Sequence, residues 1–171
     1  MVSSGSPYEV IPVDFKTADI YDQHEDRVRV CDPLFRDFGG KSRFAGPAVT
    51  VKCFEDNTEV KAALAAPGEG RVLVVDAGGS QRCAMLGDLI AANAVSNGWA
   101  GVVMYGCVRD SVELGGMDLG VKALDTTPRK SVRRGEGQRD LPVTFAGVTF
   151  RTGDYVYCDE DGILVAFESL M

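Results

Sequence analysis

Histidine is almost absent from this sequence, which contains only His24, and no two of its five cysteines form a Cys-x-x-Cys pair. One histidine is too few for a multi-histidine metal centre, and it disfavours a serine–histidine–aspartate triad. An odd number of widely spaced cysteines argues against a disulfide framework or a zinc site. Without a disulfide framework, we expect a cytoplasmic protein. Because each cysteine lies in or beside an apolar run, we predict small buried side chains.

Long apolar runs and an excess of positive charge are also missing. No apolar stretch approaches the ~18 residues that a membrane-spanning helix requires, and the N-terminus lacks the pattern of a signal peptide. The net charge of −7 argues against a nucleic-acid groove, which needs clustered lysine and arginine. The one basic cluster, Lys130 with Arg133 and Arg134, we interpret as a solvated loop. We therefore expect no membrane partner and no direct nucleic-acid partner.

The composition suits a single globular domain. The chain has 171 residues, of which 45% are hydrophobic and 25% charged, enough to build a substantial core. No repeat, low-complexity segment or linker divides the sequence. We treat residues 1–171 as one domain, in which residues 1–12 are expected to be flexible.

Strand and helix patterns alternate through the middle of the chain. Residues 71–79 form an apolar run that ends in glycines, residues 88–98 a helix, and residues 100–107 a second apolar run. This order predicts a parallel βαβ unit with a right-handed crossover, and the fold class is α/β. The other predicted elements are a helix at 17–24 with Thr17 as its N-cap, a helix at 58–66, strands at 44–54 and 121–128, and several strands over 143–167 with a hairpin turn at 159–162.

The apolar stretch 87–110 carries its charges only at its two ends. Asp88 opens the predicted helix, and Arg109 and Asp110 follow the second strand. In a βαβ unit these two ends lie at the same sheet edge, where open α/β sheets bind ligands. We therefore expect these three side chains to share one crevice.

That crevice has the groups to bind a cation and an anion together. Carboxylates suit a hard cation such as Mg²⁺, and the first N–H groups of a helix, here near Leu89 and Ile90, attract an anion. The guanidinium of Arg109 suits a carboxylate or an enolate oxygen. The alternative is that Asp88 is only an N-cap and that Arg109 and Asp110 are ordinary surface residues. Spacing alone leaves both interpretations open.

The residues also resemble a known family. Asp88, twenty residues, Arg109-Asp110, two residues and Glu113 match the core motif of the RraA-like proteins, which are related to the class II 4-hydroxy-4-methyl-2-oxoglutarate/4-carboxy-4-hydroxy-2-oxoadipate aldolases. Many RraA-like proteins have glycine at the first motif position, whereas aspartate is the form associated with the aldolases. The resemblance implies a single-domain β/β/α swivelling-domain fold, like a phosphohistidine domain. It also implies homotrimers, sometimes paired into hexamers, with sites at subunit interfaces.

The resemblance assigns roles by motif position. Asp110 would hold a divalent metal, Mg²⁺ or Mn²⁺. Asp88 would contact this metal through a water molecule, and Glu113 would lie further from it. Arg109 would contact the pyruvyl oxygen. The substrate carboxylate would meet the backbone of Gly87, Leu89 and Ile90.

For Arg82 two alternatives stand. Its side chain either meets a distal carboxylate of the substrate or forms a salt bridge within its own loop.

The implied function is metal-dependent cleavage of 4-hydroxy-4-methyl-2-oxoglutarate-type substrates to pyruvate, with oxaloacetate decarboxylation. No lysine falls between Lys61 and Lys122, which favours metal-assisted over imine chemistry. The rival function is a regulator that binds and inhibits a ribonuclease without its own catalysis. A methyltransferase is disfavoured because Ser80 stands where a nucleotide-binding turn needs its second glycine.

Overall fold

The computed structural model describes residues 14–171, so the prediction of flexibility for residues 1–12 lies outside the described residues. The helices are α1 (Thr17–His24), α2 (Thr58–Ala65), α3 (Asp88–Ser96) and α4 (Ser111–Gly115). The strands are β1 (Val28–Val30), β2 (Arg36–Asp37), β3 (Phe44–Lys52), β4 (Val72–Asp76), β5 (Ala84–Leu86), β6 (Gly101–Val108), β7 (Gly120–Thr126), β8 (Gln138–Arg139), β9 (Val143–Phe145), β10 (Val148–Phe150), β11 (Tyr155–Asp159) and β12 (Gly162–Ala166).

A parallel core of four strands confirms the predicted α/β class. Strands β3, β4, β6 and β7 are adjacent and parallel, and Thr50, Val74, Val103 and Lys122 lie side by side across them. Helix α2 connects β3 to β4, and α3 lies between β4 and β6 in the chain, as the βαβ pattern predicts. The short strand β5, which the sequence did not reveal, pairs in parallel with the end of β6.

The other half of the sheet is antiparallel. Strand β11 pairs with β3 and with β12, and β1 lies at the far edge. Asp159 and Gly162 pair at the tip of the β11–β12 hairpin, so the predicted turn is confirmed. Strands β9 and β10 form a separate two-stranded hairpin.

Alternating residues of the central strands divide between two hydrophobic clusters. Leu73 and Val75 belong to the cluster that includes the buried residues of α2 and α3. Val72 and Val74 belong to the other, which includes residues of β9–β12. Successive side chains of a strand point to opposite faces, so β4 is covered on both sides and reads as a continuous apolar run.

The start of α1 differs from its prediction. Thr17 is not the N-cap but the first helical residue, and its amide and hydroxyl donate to the Asp159 carboxylate at 2.7 and 2.6 Å. The capping oxygens thus come from the β11–β12 hairpin, 142 residues away in sequence. A distant side chain has replaced the local cap that the sequence suggested.

All five cysteines are free and buried, which confirms their interpretation as small hydrophobic side chains. Burial raises the pKa of the Cys31 and Cys53 thiols to about 12, and it raises that of Cys158 well above its ordinary value. Within residues 14–171, no helix has the length and apolar character needed to cross a membrane.

Candidate active site

The two charged ends of the 87–110 stretch meet at the sheet edge. Arg109 and Asp110 follow β6 directly, and α3 begins at Asp88. The Asp88 amide donates a hydrogen bond of 2.9 Å to Oδ2 of Asp110. The Asp110 carboxylate therefore caps the N-terminus of α3, where the helix dipole favours negative charge.

Asp110 holds this position with a left-handed backbone (φ 58°, ψ 44°), which costs a non-glycine residue about 1–2 kcal/mol. Its carbonyl accepts the first hydrogen bond of α4, from Leu114, at 2.9 Å. Asp110 thus joins the end of β6 to the start of α4 while its side chain reaches α3. Strain of this kind concentrates at functional sites.

Gly87 leaves room for this contact. A Cβ at Gly87 would lie 2.8 Å from Oδ2 of Asp110 and 3.3 Å from Nε of Arg109. Its φ of −133° is open to any residue, so the requirement is for space and not for a special conformation. Glycine at this position allows both charged side chains to approach the helix start.

The first turn of α3 still has amide donors to offer. The Ala91 amide donates to the Gly87 carbonyl at 3.0 Å, and the Asp88 amide is taken by Asp110. The amides of Leu89 and Ile90 precede the intrahelical ladder and have no acceptor within the helix. Both residues line a cavity, so this end of α3 can bind an anion.

The cavity has a volume of about 510 Å³, within the usual range for small-molecule sites. It is lined by Asn57, Ala84, residues 86–90, Arg109 and residues 130–133. Asp110 lines an adjoining hollow of about 270 Å³ with Arg109, Thr126, Thr127 and Pro128. Arg109 borders both spaces, and its Nη1 lies 3.5 Å from the Pro128 carbonyl.

The basic loop differs in part from its interpretation as a solvated surface. Lys130 and Arg133 are exposed, but both also line the cavity. Nε of Arg133 donates to Oδ1 of Asn57 at 3.1 Å, and the Asn57 amide donates to the Val132 carbonyl at 3.2 Å. Sequence reasoning missed this wall of the cavity, because the loop is fixed by residues more than 70 positions earlier.

Asp56 anchors the same loop. It is 1% exposed, and Oδ2 accepts hydrogen bonds from the amides of Arg134 and Glu136 at 2.7 and 3.2 Å. Burial raises the pKa of this carboxyl, but the hydrogen bonds from Thr58, Arg134 and Glu136 outweigh burial and lower the pKa to about 2. The only signal in the sequence is an Asp-Asn pair before a helix, which alone indicates a cap.

Two other predicted residues lie apart from this cluster. Nε of Arg82 donates to Oε1 of Glu55 at 2.5 Å, so its loop salt bridge is present. Within the described chain, the cavity lining does not include Arg82. Glu113 is exposed on α4. Residues 14–171 contain no group of three His, Cys, Asp or Glu side chains that could hold a metal, so Glu113 does not complete a three-carboxylate site.

The carboxylates of Asp88 and Asp110 nonetheless suit a hard cation. Mg²⁺ keeps several waters and takes only one or two protein carboxylates, whereas a closed protein site for zinc uses four nitrogen or sulfur ligands. Asp88 and Asp110 belong to one helix start, and each lines an open space that water can enter, the main cavity for Asp88 and the adjoining hollow for Asp110. These residues therefore fit a partly hydrated divalent cation.

The chain is similar to known proteins over most of its length. A family model described as RraA-like (Aldolase/RraA) matches residues 17–165. A relative from Alkalilimnicola ehrlichii is 63% identical and covers 91% of this chain and 96% of its own length; one from Laribacter hongkongensis is 56% identical and covers 93% and 100%. Both carry the name "Putative 4-hydroxy-4-methyl-2-oxoglutarate aldolase".

Two solved structures share the fold but bear other names. One from Geobacillus kaustophilus HTA426, with 49% identity and a TM-score of 0.88 over 91% of this chain and 97% of its own, is described as an S-adenosylmethionine:2-dimethylmenaquinone methyltransferase. One from Thermus thermophilis, with 41% identity and a TM-score of 0.89 over 92% and 96%, is described as the RNA-processing inhibitor RraA. The names differ, so the choice among these activities rests on the site.

Proposed function

Because the chain belongs to the RraA-like family, we propose that it is a divalent-metal-dependent lyase that cleaves 4-hydroxy-4-methyl-2-oxoglutarate-type substrates to pyruvate and also decarboxylates oxaloacetate. One observation carries the proposal: the Asp110 carboxylate caps α3 beside Arg109, at the edge of a cavity lined by the first residues of that helix. Aspartate at position 88, the form associated with the aldolases, supports it further.

The pyruvyl end of the substrate binds at the start of α3. Its carboxylate accepts hydrogen bonds from the amides of Leu89 and Ile90, next to Gly87. The guanidinium of Arg109 lies against the 2-keto oxygen, where charge develops during the reaction. Groups that attract negative charge thus contact both the carboxylate and the 2-keto oxygen of the substrate.

Asp110 would hold the cation, Mg²⁺ or Mn²⁺, with Asp88 acting through water and Glu113 further away. When bound, the cation supplies positive charge that polarises the 2-keto group.

The bond that breaks lies between C3 and C4 of the substrate. The 4-hydroxyl loses its proton, C4 becomes the keto carbon of one pyruvate, and the electron pair of the broken bond forms the enolate of the other. Arg109 stabilises this enolate oxygen, and protonation at C3 completes the second pyruvate. Loss of carbon dioxide from oxaloacetate leaves the same enolate, so one site serves both reactions.

The deciding experiment measures pyruvate release from 4-hydroxy-4-methyl-2-oxoglutarate and from oxaloacetate, with Mg²⁺, with Mn²⁺ and after EDTA treatment. We expect release from both substrates that EDTA abolishes and added metal restores. Absence of metal-dependent release from either substrate would contradict the proposal.

We also propose a second function, binding to a ribonuclease. This function is favoured by the likeness to the solved structure from Thermus thermophilis that is described as an RNA-processing inhibitor. The net charge of −7 also suits a basic protein partner. A catalytic site and a binding surface can coexist, so inhibition of a purified ribonuclease by the Asp110→Ala variant would separate the two activities.

A methyltransferase function has less support in the described chain. The cavity is lined by the start of α3, and its lining within residues 14–171 does not include the glycine turn at 77–80. The Ser80 hydroxyl instead donates to Glu55 at 2.8 Å.

For the assembly we propose a homotrimer, with a hexamer made of two such trimers as the alternative. Leu89 and Val112 are 78% and 85% exposed close to the candidate site, and large apolar side chains in such positions favour contact with another copy. Light scattering of the purified protein measures the number of subunits.

A further inference from the structure

The cavity is larger than the pyruvyl end of a substrate needs. Pyruvate has six non-hydrogen atoms, whereas a cavity of about 510 Å³ falls in the range that accepts much larger ligands. The α3 amides and Arg109 account for one part of the lining, and residues 130–133 form another. This second part is available for the rest of the substrate.

We propose that Arg133, assisted by Lys130, binds the distal carboxylate of the substrate and so determines specificity for substrates that are anionic at both ends. This inference rests on the proposed function, because it concerns the far end of the same bound molecule. It moves the distal contact from Arg82, where one sequence-based alternative put it, to the basic loop.

The position of Arg82 is the first argument. Its guanidinium is paired with Glu55 and lies 5.7 Å from the centre of the Phe54 ring. It does not belong to the described cavity lining. A substrate carboxylate would have to compete with an existing carboxylate for it.

Arg133, by contrast, is held in place at the cavity. Asn57, which is 6% exposed, accepts its Nε hydrogen at 3.1 Å and also lines the cavity. This contact fixes the guanidinium and uses one of its five N–H groups. Its two terminal nitrogens are the pair that suits bidentate binding of a carboxylate.

Ser131 contributes a polar residue to the same part of the lining. Its hydroxyl oxygen is buried, and it has no hydrogen-bond partner within residues 14–171. Ser131 also lines the cavity, between Lys130 and Arg133 in sequence. Buried hydroxyls in native proteins are rarely unpaired, so this one has the chemistry to donate to a bound anion.

The loop is anchored well enough to act as a specificity element. Asp56 accepts the amide hydrogens of Arg134 and Glu136, and the Val132 amide donates to the Glu55 carbonyl at 3.2 Å. The cationic side chains therefore extend from a fixed backbone, which lowers the entropic cost of binding.

The test compares two reactions of the metal-loaded enzyme. Cleavage of 4-hydroxy-4-methyl-2-oxoglutarate involves a distal carboxylate, whereas exchange of the pyruvate methyl protons in deuterium oxide, followed by NMR, requires only the pyruvyl site. For Arg133→Gln we expect the ratio of the two kcat/KM values to fall about tenfold to a hundredfold, mainly through KM of the aldol substrate. Arg133→Lys should restore part of the loss.

Arg134→Gln is the matched control, because the Arg134 side chain is exposed and is not among the described lining residues. It should leave the ratio within about twofold, and Lys130→Gln should fall between the two. A wild-type enzyme that catalyses neither reaction would overturn the proposed function and this inference together. Normal wild-type activity with an unchanged ratio in Arg133→Gln, or an equal fall in Arg134→Gln, would overturn this inference alone.

Discussion

Two aspartates of this chain each cap a helix, but their surroundings differ. Asp159 and Asp110 each use a carboxylate to cap a helix that begins elsewhere in the chain, α1 at Thr17 and α3 at Asp88. Asp159 is 3% exposed, and its oxygens accept hydrogen bonds from the Thr17 amide, the Thr17 hydroxyl and the Asp161 amide. Its capacity as an acceptor is largely used within the fold.

Asp110 is less enclosed. It is partly buried, it has a strained backbone, and it borders a hollow that shares Arg109 with the lining of the main cavity. A carboxylate that caps a helix and also faces open space has lone pairs left for a ligand. Enclosure, more than the capping contact, therefore separates Asp159 from Asp110, the proposed cation ligand.

Asp110→Ala tests the proposed role of Asp110 as cation ligand. We expect metal-dependent pyruvate release to fall at least about a thousandfold, because the proposed cation ligand is lost. Stability should change by only about 1 kcal/mol, the usual effect of losing one helix cap. Steady-state kinetics and thermal unfolding measure the two effects. Substantial activity in this variant would contradict the assignment of Asp110.

Asp159→Ala is the reciprocal change. It removes the cap of α1 and leaves the buried Thr17 hydroxyl unpaired, so we expect a loss of about 2–4 kcal/mol in the free energy of unfolding. Urea unfolding measures this loss. At a temperature where the variant is folded, its kcat should stay within about threefold of wild type. A small change in stability together with a large loss of kcat would show that Asp159 serves the reaction more than it stabilises α1.

Arg109→Lys tests the role of the Arg109 guanidinium. The substitution keeps the charge at the end of β6 but removes the planar pair of donors, so we expect kcat to fall about tenfold to a hundredfold. The unfolding midpoint should be nearly unchanged, because this side chain is partly exposed. A fall in stability as large as the fall in kcat would argue for a packing role.

The smallest effect concerns Asp56, which is enclosed like Asp159. Its pKa of about 2 in the folded protein lies below the ordinary value near 4, so the native state binds its proton less readily than the unfolded state does. The resulting stability is fully present above about pH 4 and is lost as the pH falls towards 2. Melting temperatures between pH 5 and 2 should therefore drop more steeply for wild type than for Asp56→Asn, and parallel curves would exclude this contribution.

The parallel core could be predicted because its pattern is local. The apolar runs at 71–79 and 100–107 and the helix between them fix the crossover, and the crossover brings Asp88 to the sheet edge that also holds Asp110. Sequence reasoning therefore located that edge without any knowledge of side-chain contacts.

The remainder of the fold and of the site depends on contacts between distant parts of the chain. The cap of α1 comes from Asp159, and the position of Arg133 comes from Asn57. The basic loop has no periodic pattern, so its sequence shows only positive charge, and charge alone predicts a solvated loop. Strand β5 has three residues, too few for any period to appear.

The buried thiols described above make this protein a reporter of its own local unfolding. A thiol reagent attacks the thiolate, and each cysteine is both enclosed and held protonated by a raised pKa, so labelling requires the surrounding structure to open. Cys107 lies on the parallel strand β6 and Cys158 on the antiparallel strand β11. The order in which these two are labelled would therefore show which half of the sheet opens first, without the introduction of any foreign probe.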